Sequence, residues 1–299
     1  SDECGLMFPI IPANSVAAGS QENSEGIFGF GRAAAGNLSM TNLVSNSGVV
    51  SSDTAGVGTA RGGLAACEYG GDKGIFSFGN EEMTNLVSNT GVIASDVAQV
   101  GTAHYMTAAC SYGGDKGIFG YGENGGAHSS TNLVSNAGVV ASDTAGVGTA
   151  RNALAACEYG GDKGLFGFGG GLTAATNLVS NSGVVSSDTA GVGTARSNLA
   201  ACNYGEDKGI FGYGYDGSYV SMSNLVSNAG VVATDVTGVG TGRNELSATQ
   251  YGNDKGIFGF GYGGSYVATT NLVTNAGVVG TDVAGVGTGR YKLAGCSFN

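Results

Sequence analysis

Few residues of this chain stand outside its repeating pattern, and those few are the candidates for chemistry. Glu81, Glu82, Glu123, His128 and Asp216 are irregular; carboxylates and imidazoles carry general acid–base catalysis when a shared cleft shifts their pKa values. Tyr215, Tyr219, Tyr262 and Tyr266 add flat amphipathic rings of the kind that contact sugars or proteins, and Arg32 adds a cation. No nucleophile–base spacing joins these residues. His104 stands where the other repeats carry Arg, which reads as a tolerated substitution. With no Cys-x-x-Cys and two unmatched histidines, zinc is not expected, and no cofactor or other metal is implied.

The regular polar residues read as structural. Asp53, Asp96, Asp143, Asp188, Asp235 and Asp282 recur once per repeat, as do Asp72, Asp115, Asp162, Asp207 and Asp254, each followed by Lys. A calcium site needs six to eight converging oxygens, and one carboxylate per place falls short, so these Asp are expected to cap turns. Arg61, Arg151, Arg196, Arg243 and Arg290 are expected to satisfy carbonyls or carboxylates between neighbouring repeats. Cys67, Cys110, Cys157, Cys202 and Cys296 share one register, with Thr249 in the sixth, and read as small buried apolar fillers. A Cys4–Cys296 bridge tying the two ends stays open.

The elements that must position these residues come in six copies. The glycine opening GIFGFG recurs at Gly26, Gly74, Gly117, Gly164, Gly209 and Gly256, and the Asn of TNLV at Asn42, Asn85, Asn132, Asn177, Asn224 and Asn271. From each Asn to the next opening glycine is always 32 residues, whereas the glycine-to-Asn distance runs from 11 to 16. All length variation therefore sits in one connection per repeat. The 299 residues carry 58 glycines and two prolines, 41% apolar and 12% charged residues, and a net charge of −11. Such an acidic chain repels nucleic-acid phosphate, and no apolar run approaches the roughly 20 residues of a membrane span.

Each repeat predicts four short strands: KGIFGFG, then TNLV with a bend at SNAG, then SDTAGVGTAR, then LAACEYG turning back through Gly-Gly-Asp-Lys. No helical period is sustained. Four strands in about 47 residues is the size of a propeller blade. The order Arg-x-x-Leu-Ala, Gly-Ile/Leu-Phe-Gly-Phe/Tyr-Gly, variable loop, Asn-x-Val and Thr-Ala/Gly-Arg resembles the kelch repeat. The matching residues are Arg61, Arg151, Arg196, Arg243 and Arg290, with glycine-flanked aromatics after the first four. The resemblance covers residues 26–299; it departs in having mostly Gly-x-Gly for the double glycine and no Trp.

The expectation is an all-β, six-bladed β-propeller of four-stranded blades occupying residues 26–299, after an atypical segment 1–25. Residues 291–298 repeat the LAAC strand and are expected to complete the first blade. The degenerate copy Asn14–Gln21 would then be displaced, or a spare terminal strand could pair with a neighbouring subunit.

The variable loops would emerge on one face, where function tends to sit. That face would present Arg32, Glu81, Glu82, Glu123, His128, Tyr215, Asp216, Tyr219, Tyr262 and Tyr266. With no constellation breaking the repeat, the functional expectation is a non-enzymatic scaffold docking onto proteins of a viral particle or cell-surface assembly. The alternative is a multivalent carbohydrate-binding propeller. An extracellular or virion location is favoured over the cytoplasm.

Overall fold

The computed structural model describes residues 24–79, 81–98 and 101–298; Cys4 and the copy at 14–21 lie outside them. Among the described residues the chain is all-β, built from small antiparallel sheets with no helix. Each sheet orders its strands LAAC, KGIF, TNLV. The second repeat, for example, pairs Leu64–Tyr69 with Lys73–Phe78 and that strand with Met83–Val87. The fourth pairs Ala155–Tyr159, Lys163–Gly167 and Thr176–Val179 in the same register. The C-terminal strand Ala294–Phe298 pairs with Glu25–Gly29, Cys296 opposite Ile27, and Glu25–Gly29 pairs in turn with Thr41–Val44.

A regular fourth strand, expected in every repeat, forms only as Val97–Ala98. Elsewhere SDTAGVGTA touches its own sheet through single bridges, such as Thr41 to Thr54 and Val44 to Val50. The reason is that its polar groups bond across to the neighbouring repeat. Asp235 takes Asn224 Nδ2 at 2.9 Å from its own repeat, and the backbone N and Oγ1 of Thr194 at 2.9 and 2.7 Å from the one before. The same clasp joins the last repeat to the first, Thr288 donating to Asp53. These Asp are clasps between repeats rather than turn caps.

Burial follows from the strand pattern. Ile or Leu and Phe of each KGIF strand are fully buried, and each core cluster draws on two neighbouring sheets. Phe76 and Val87 pack with Ile27 and Cys296, and Phe28 and Val44 pack with Tyr251 and Ile257 of the sixth repeat. The opening glycines permit this approach. A Cβ on Gly256 would lie 2.6 Å from Cys202 Sγ of the preceding repeat, so Cys fills the space that glycine leaves. All five described cysteines are buried free thiols; burial pushes Cys202 up to about 12.

The Gly-aromatic-Gly run has a conformational origin. Phe30, Phe78, Tyr121, Phe168, Tyr213 and Phe260 all have φ between 61° and 70°, a left-handed conformation that strains a bulky residue. The carbonyls of all but Tyr121 then accept from the buried arginines. Arg196 Nε donates to Tyr213 O at 2.8 Å, Nη1 to Thr194 O at 3.1 Å and Nη2 to Asn224 Oδ1 at 2.7 Å. Its guanidinium lies 4.4 Å over the Phe168 ring, with Asp235 at 3.9 Å. Burial lowers its pKa to about 10, against the opposing charges of Asp235 and Asp216. The arginines thus satisfy carbonyls and carboxylates between repeats.

Candidate functional site

One backbone feature gathers all six repeats at a single place. Between each Arg (or His104) and the following Leu or Thr lies a pair that diverges completely: Gly62–Gly63, Tyr105–Met106, Asn152–Ala153, Ser197–Asn198, Asn244–Glu245 and Tyr291–Lys292. The second member is left-handed in every case, with φ from 51° to 72°. Its N–H donates to the carbonyl of the equivalent residue one repeat earlier: Met106 to Gly63, Ala153 to Met106, Asn198 to Ala153, Glu245 to Asn198, Lys292 to Glu245 and Gly63 to Lys292, at 2.8–3.0 Å. The six bonds form a closed cycle. Non-glycine residues at positive φ cost on the order of 1–3 kcal/mol each, and the cycle offsets that strain at a rim where the side chains are free to differ.

Inside the rim is a recess of about 100 Å³ whose wall includes Leu64, Thr107, Leu154, Leu199, Leu246 and Leu293. Three polar side chains meet beside these residues, two of them, Glu245 and Lys292, lining the recess. Lys292 Nζ donates to Tyr105 Oη at 2.6 Å and lies 3.4 Å from Glu245 Oε1. Both charged side chains are largely buried, 16% and 15% exposed. Burial would lower the Lys292 ammonium, but the Tyr105 hydrogen bond and the Glu245 charge outweigh it and raise the pKa. Burial raises the Glu245 carboxyl, opposed by Lys292. The cluster draws on the second, fifth and sixth copies of one motif, Tyr105 lying 187 residues from Lys292.

The variable hairpins begin at this same end of the strands, because each LAAC strand starts opposite the end of its KGIF strand. Isolated bridges tie four hairpins to the diverged pairs: Tyr105 to Glu123, Ser197 to Tyr215, Asn244 to Tyr262 and Arg32 to Tyr291. Tyr215, Tyr219, Tyr262, Tyr266 and Tyr291 follow one another in ring contact at 5.2–5.8 Å. Lys292 Nζ sits 5.6 Å over the Tyr291 ring and 5.0 Å over Tyr105, so the arc runs into the cluster. Glu123 is held by Asn152 Nδ2.

Among the described residues, the side chains of the other expected site residues make no contact with Tyr105, Glu245 or Lys292. Asp216 caps its own hairpin, accepting from the N and Oγ of Ser218 at 3.0 and 2.9 Å. Arg32 is exposed. Glu82 is exposed and Glu81 half-buried, the latter acting through its charge on Arg61. Tyr105, Glu245 and Lys292 escaped the sequence reading. Their signal was present as the one divergent pair inside an otherwise locked stretch of 32 residues.

The two histidines, expected to be unmatched, are partners. His104 and His128 come from neighbouring repeats and lie with ring centroids 4.0 Å apart and planes tilted by 35°. His104 is 3% exposed. Neither of its nitrogens has a hydrogen-bond partner, nor do His128 Nε2 and Asn132 Oδ1. His128 Nδ1 is hydrogen-bonded to Ser130 Oγ at 2.8 Å, and Asp143 Oδ1 is 3.9 Å from His104 Nε2. Burial, with the His128 charge in support and Asp143 opposing, depresses His104 to about 4.

No family model matches the chain, and no curated protein matches it. Among solved structures it is similar to a novel fungal alcohol oxidase of the AA5 family, described with catalytic diversity and in complex with copper. The TM-score is 0.56 at 13% identity, over 89% of this chain and 64% of that one. The chain therefore spans less than two thirds of that neighbour's length, and the likeness is one of fold. It corrects the expectation of a non-enzymatic docking scaffold with a lectin-like alternative. That expectation rested on near-identical repeats leaving no room for chemistry, and a fold that hosts an oxidase removes the premise. Tested for copper, the described residues offer no group of three or more His, Cys, Asp or Glu able to hold a metal ion. What they do offer is the imidazole pair with its orphaned nitrogens and the orphaned Asn132 amide oxygen.

Proposed function

We propose that this chain is a six-bladed β-propeller of kelch-like repeats closed by its C-terminal strand. We further propose that the rim on its axis is an active site for proton transfer on a small hydroxy-carbonyl compound. Six core clusters in cyclic order, the Thr288–Asp53 clasp and the rim's closed hydrogen-bond cycle support the ring reading. The functional reading is carried by one observation: Glu245 and Lys292 line the recess, and Lys292 meets both Glu245 and the hydroxyl of Tyr105.

Lys292 spends one N–H on Tyr105 and directs another toward Glu245, leaving the third for a substrate oxygen. The Tyr105 oxygen accepts from Lys292, so its own O–H remains to donate to the same oxygen. These two donors hold a carbonyl and stabilise the negative charge that develops on it. Glu245 removes a proton from the adjacent carbon, the electron pair moves into the enolate, and a proton from Glu245 returns to that carbon to regenerate the starting compound, with solvent exchange at Glu245 in between. The leucines give the recess an apolar part, and the tyrosine faces suit the C–H surface of a hydroxylated body. The alcohol chemistry of the structural neighbour guides the choice of hydroxylated substrates, and no step passes through a metal.

The test is deuterium wash-in. The purified chain in D2O is followed by proton NMR with glyceraldehyde, dihydroxyacetone and an aldohexose. Exchange at the carbon next to the carbonyl is expected, reduced by about 10²–10⁴-fold in Glu245→Gln and strongly in Lys292→Met, both variants remaining folded. Exchange no faster than in buffer alone would defeat the reading.

A further inference from the structure

Five repeats place a guanidinium beside the next repeat's Asn and Asp: four arginines donate to the Asn side-chain oxygen, while Arg290 lies 3.8 Å from Asp53 with its Nη2 and the Asn42 Oδ1 both unpaired. The second repeat keeps the cradle, Asn132 and Asp143, but replaces the cation with the neutral ring of His104. Asn132 Nδ2 still donates to Asp143 at 2.7 Å, and its Oδ1 has no partner. Into the same space the following hairpin brings His128, the chain's only other histidine. The result is four orphaned polar atoms in one buried place: both nitrogens of His104, Nε2 of His128 and Oδ1 of Asn132.

Buried polar groups rarely go without partners, and these are electron-pair donors beside a carboxylate. Imidazole nitrogens with an amide oxygen suit zinc and copper. We propose that His104, His128 and Asn132 bind one divalent transition-metal ion, Cu(II) or Zn(II), which takes the place of the missing guanidinium between the second and third repeats.

The surroundings fit this role. Burial lowers the pKa of both rings, so both are neutral at pH 7 with lone pairs available. The Ser130 contact at Nδ1 orients the His128 ring and leaves Nε2 free, as an outer partner does for a metal-bound imidazole. Asp143, at 3.9 Å, supplies charge that offsets the ion, as its counterparts do for arginine. The buried thiols do not compete, because burial keeps them protonated. His104 adjoins Tyr105 in the chain, but the proposed ligands share no side chain with the Glu245–Lys292–Tyr105 cluster, and the site is read by metal binding rather than by activity.

The test uses the full chain stripped of metal and titrated calorimetrically with Cu(II) and with Zn(II) at pH 7. One equivalent should bind, with nitrogen hyperfine splitting in the copper EPR spectrum and a rise in melting temperature. His104→Arg restores the residue used by the other repeats and so preserves the fold; it should weaken binding at least about 100-fold and abolish the splitting. His128→Ala should weaken binding similarly. Absence of binding to the wild-type chain, or binding unchanged in His104→Arg, would overturn the proposal.

Discussion

The pocket of Arg196 and the pocket of His104 occupy equivalent positions and share the same walls, yet they are held together differently. At Arg196 one side chain satisfies a backbone carbonyl from a strained aromatic, a threonine carbonyl and an asparagine oxygen, with an aspartate behind. At His104 the aspartate and asparagine remain, but the imidazole makes no hydrogen bond and stacks on a second imidazole. The difference teaches that the repeat conserves a demand for positive charge, not a particular residue. Five copies supply an arginine, four of them bonded to the asparagine oxygen, and one supplies a neutral imidazole.

The largest effect should come from removing the internal cation. Arg196→Ala orphans Asn224 Oδ1 and leaves Asp235 unopposed, and is expected to cost about 3–5 kcal/mol in urea unfolding. His104→Ala orphans nothing new and should cost less than half as much. Equal losses would break the comparison.

Acid should separate the two pockets next. His104 titrates near 4 in the folded chain against 6.5 for an ordinary imidazole, with Asp143 and His128 as the titratable groups facing it. As pH falls, the unfolded chain takes up this proton first. The contribution is therefore complete above pH 6.5 and is lost progressively down to about 4, up to about 3 kcal/mol in all. Urea midpoints at pH 7 and 4.5 should diverge for the wild-type chain and draw together in His104→Arg. An undiminished difference in that variant would assign the acid sensitivity elsewhere.

A smaller effect checks that the pockets differ only in their cation. Gly164→Ala meets Cys110 of the third repeat and Gly209→Ala meets Cys157 of the fourth. Each should cost about 1–3 kcal/mol through overpacking, and a wide gap between the two would mean that the sheets themselves are packed unequally. The smallest change is expected at the tyrosine arc. Tyr266, 40% exposed, should tolerate alanine within about 0.5 kcal/mol in thermal unfolding, while KM for any substrate found in the exchange assay should rise.

Much of the architecture was legible because it is written six times. The alternation in KGIF and LAAC, the opening glycines and the Cys register all act over one strand or one contact, and a local rule repeated six times is hard to misread. The fourth strand was misread because SDTAGVGTA has strand-like composition while its Asp and Thr are committed to neighbouring repeats. The pair after each Arg went unnoticed because divergence over two residues looks like tolerance. Only the cyclic hydrogen bonds give those positions a common place.

Sequence alone determined the period, the strand types, the single variable connection and the buried role of Cys and Arg, because each depends on neighbours within a strand or on a side chain's own chemistry. Tertiary structure alone decided which residues meet. Lys292 reaches Tyr105 and His104 reaches His128 because the sheets curve round to set the sixth repeat beside the second's partner groups and the third against the second. Contacts across so many residues are fixed by how the small sheets pack on one another, which no local stretch of sequence encodes.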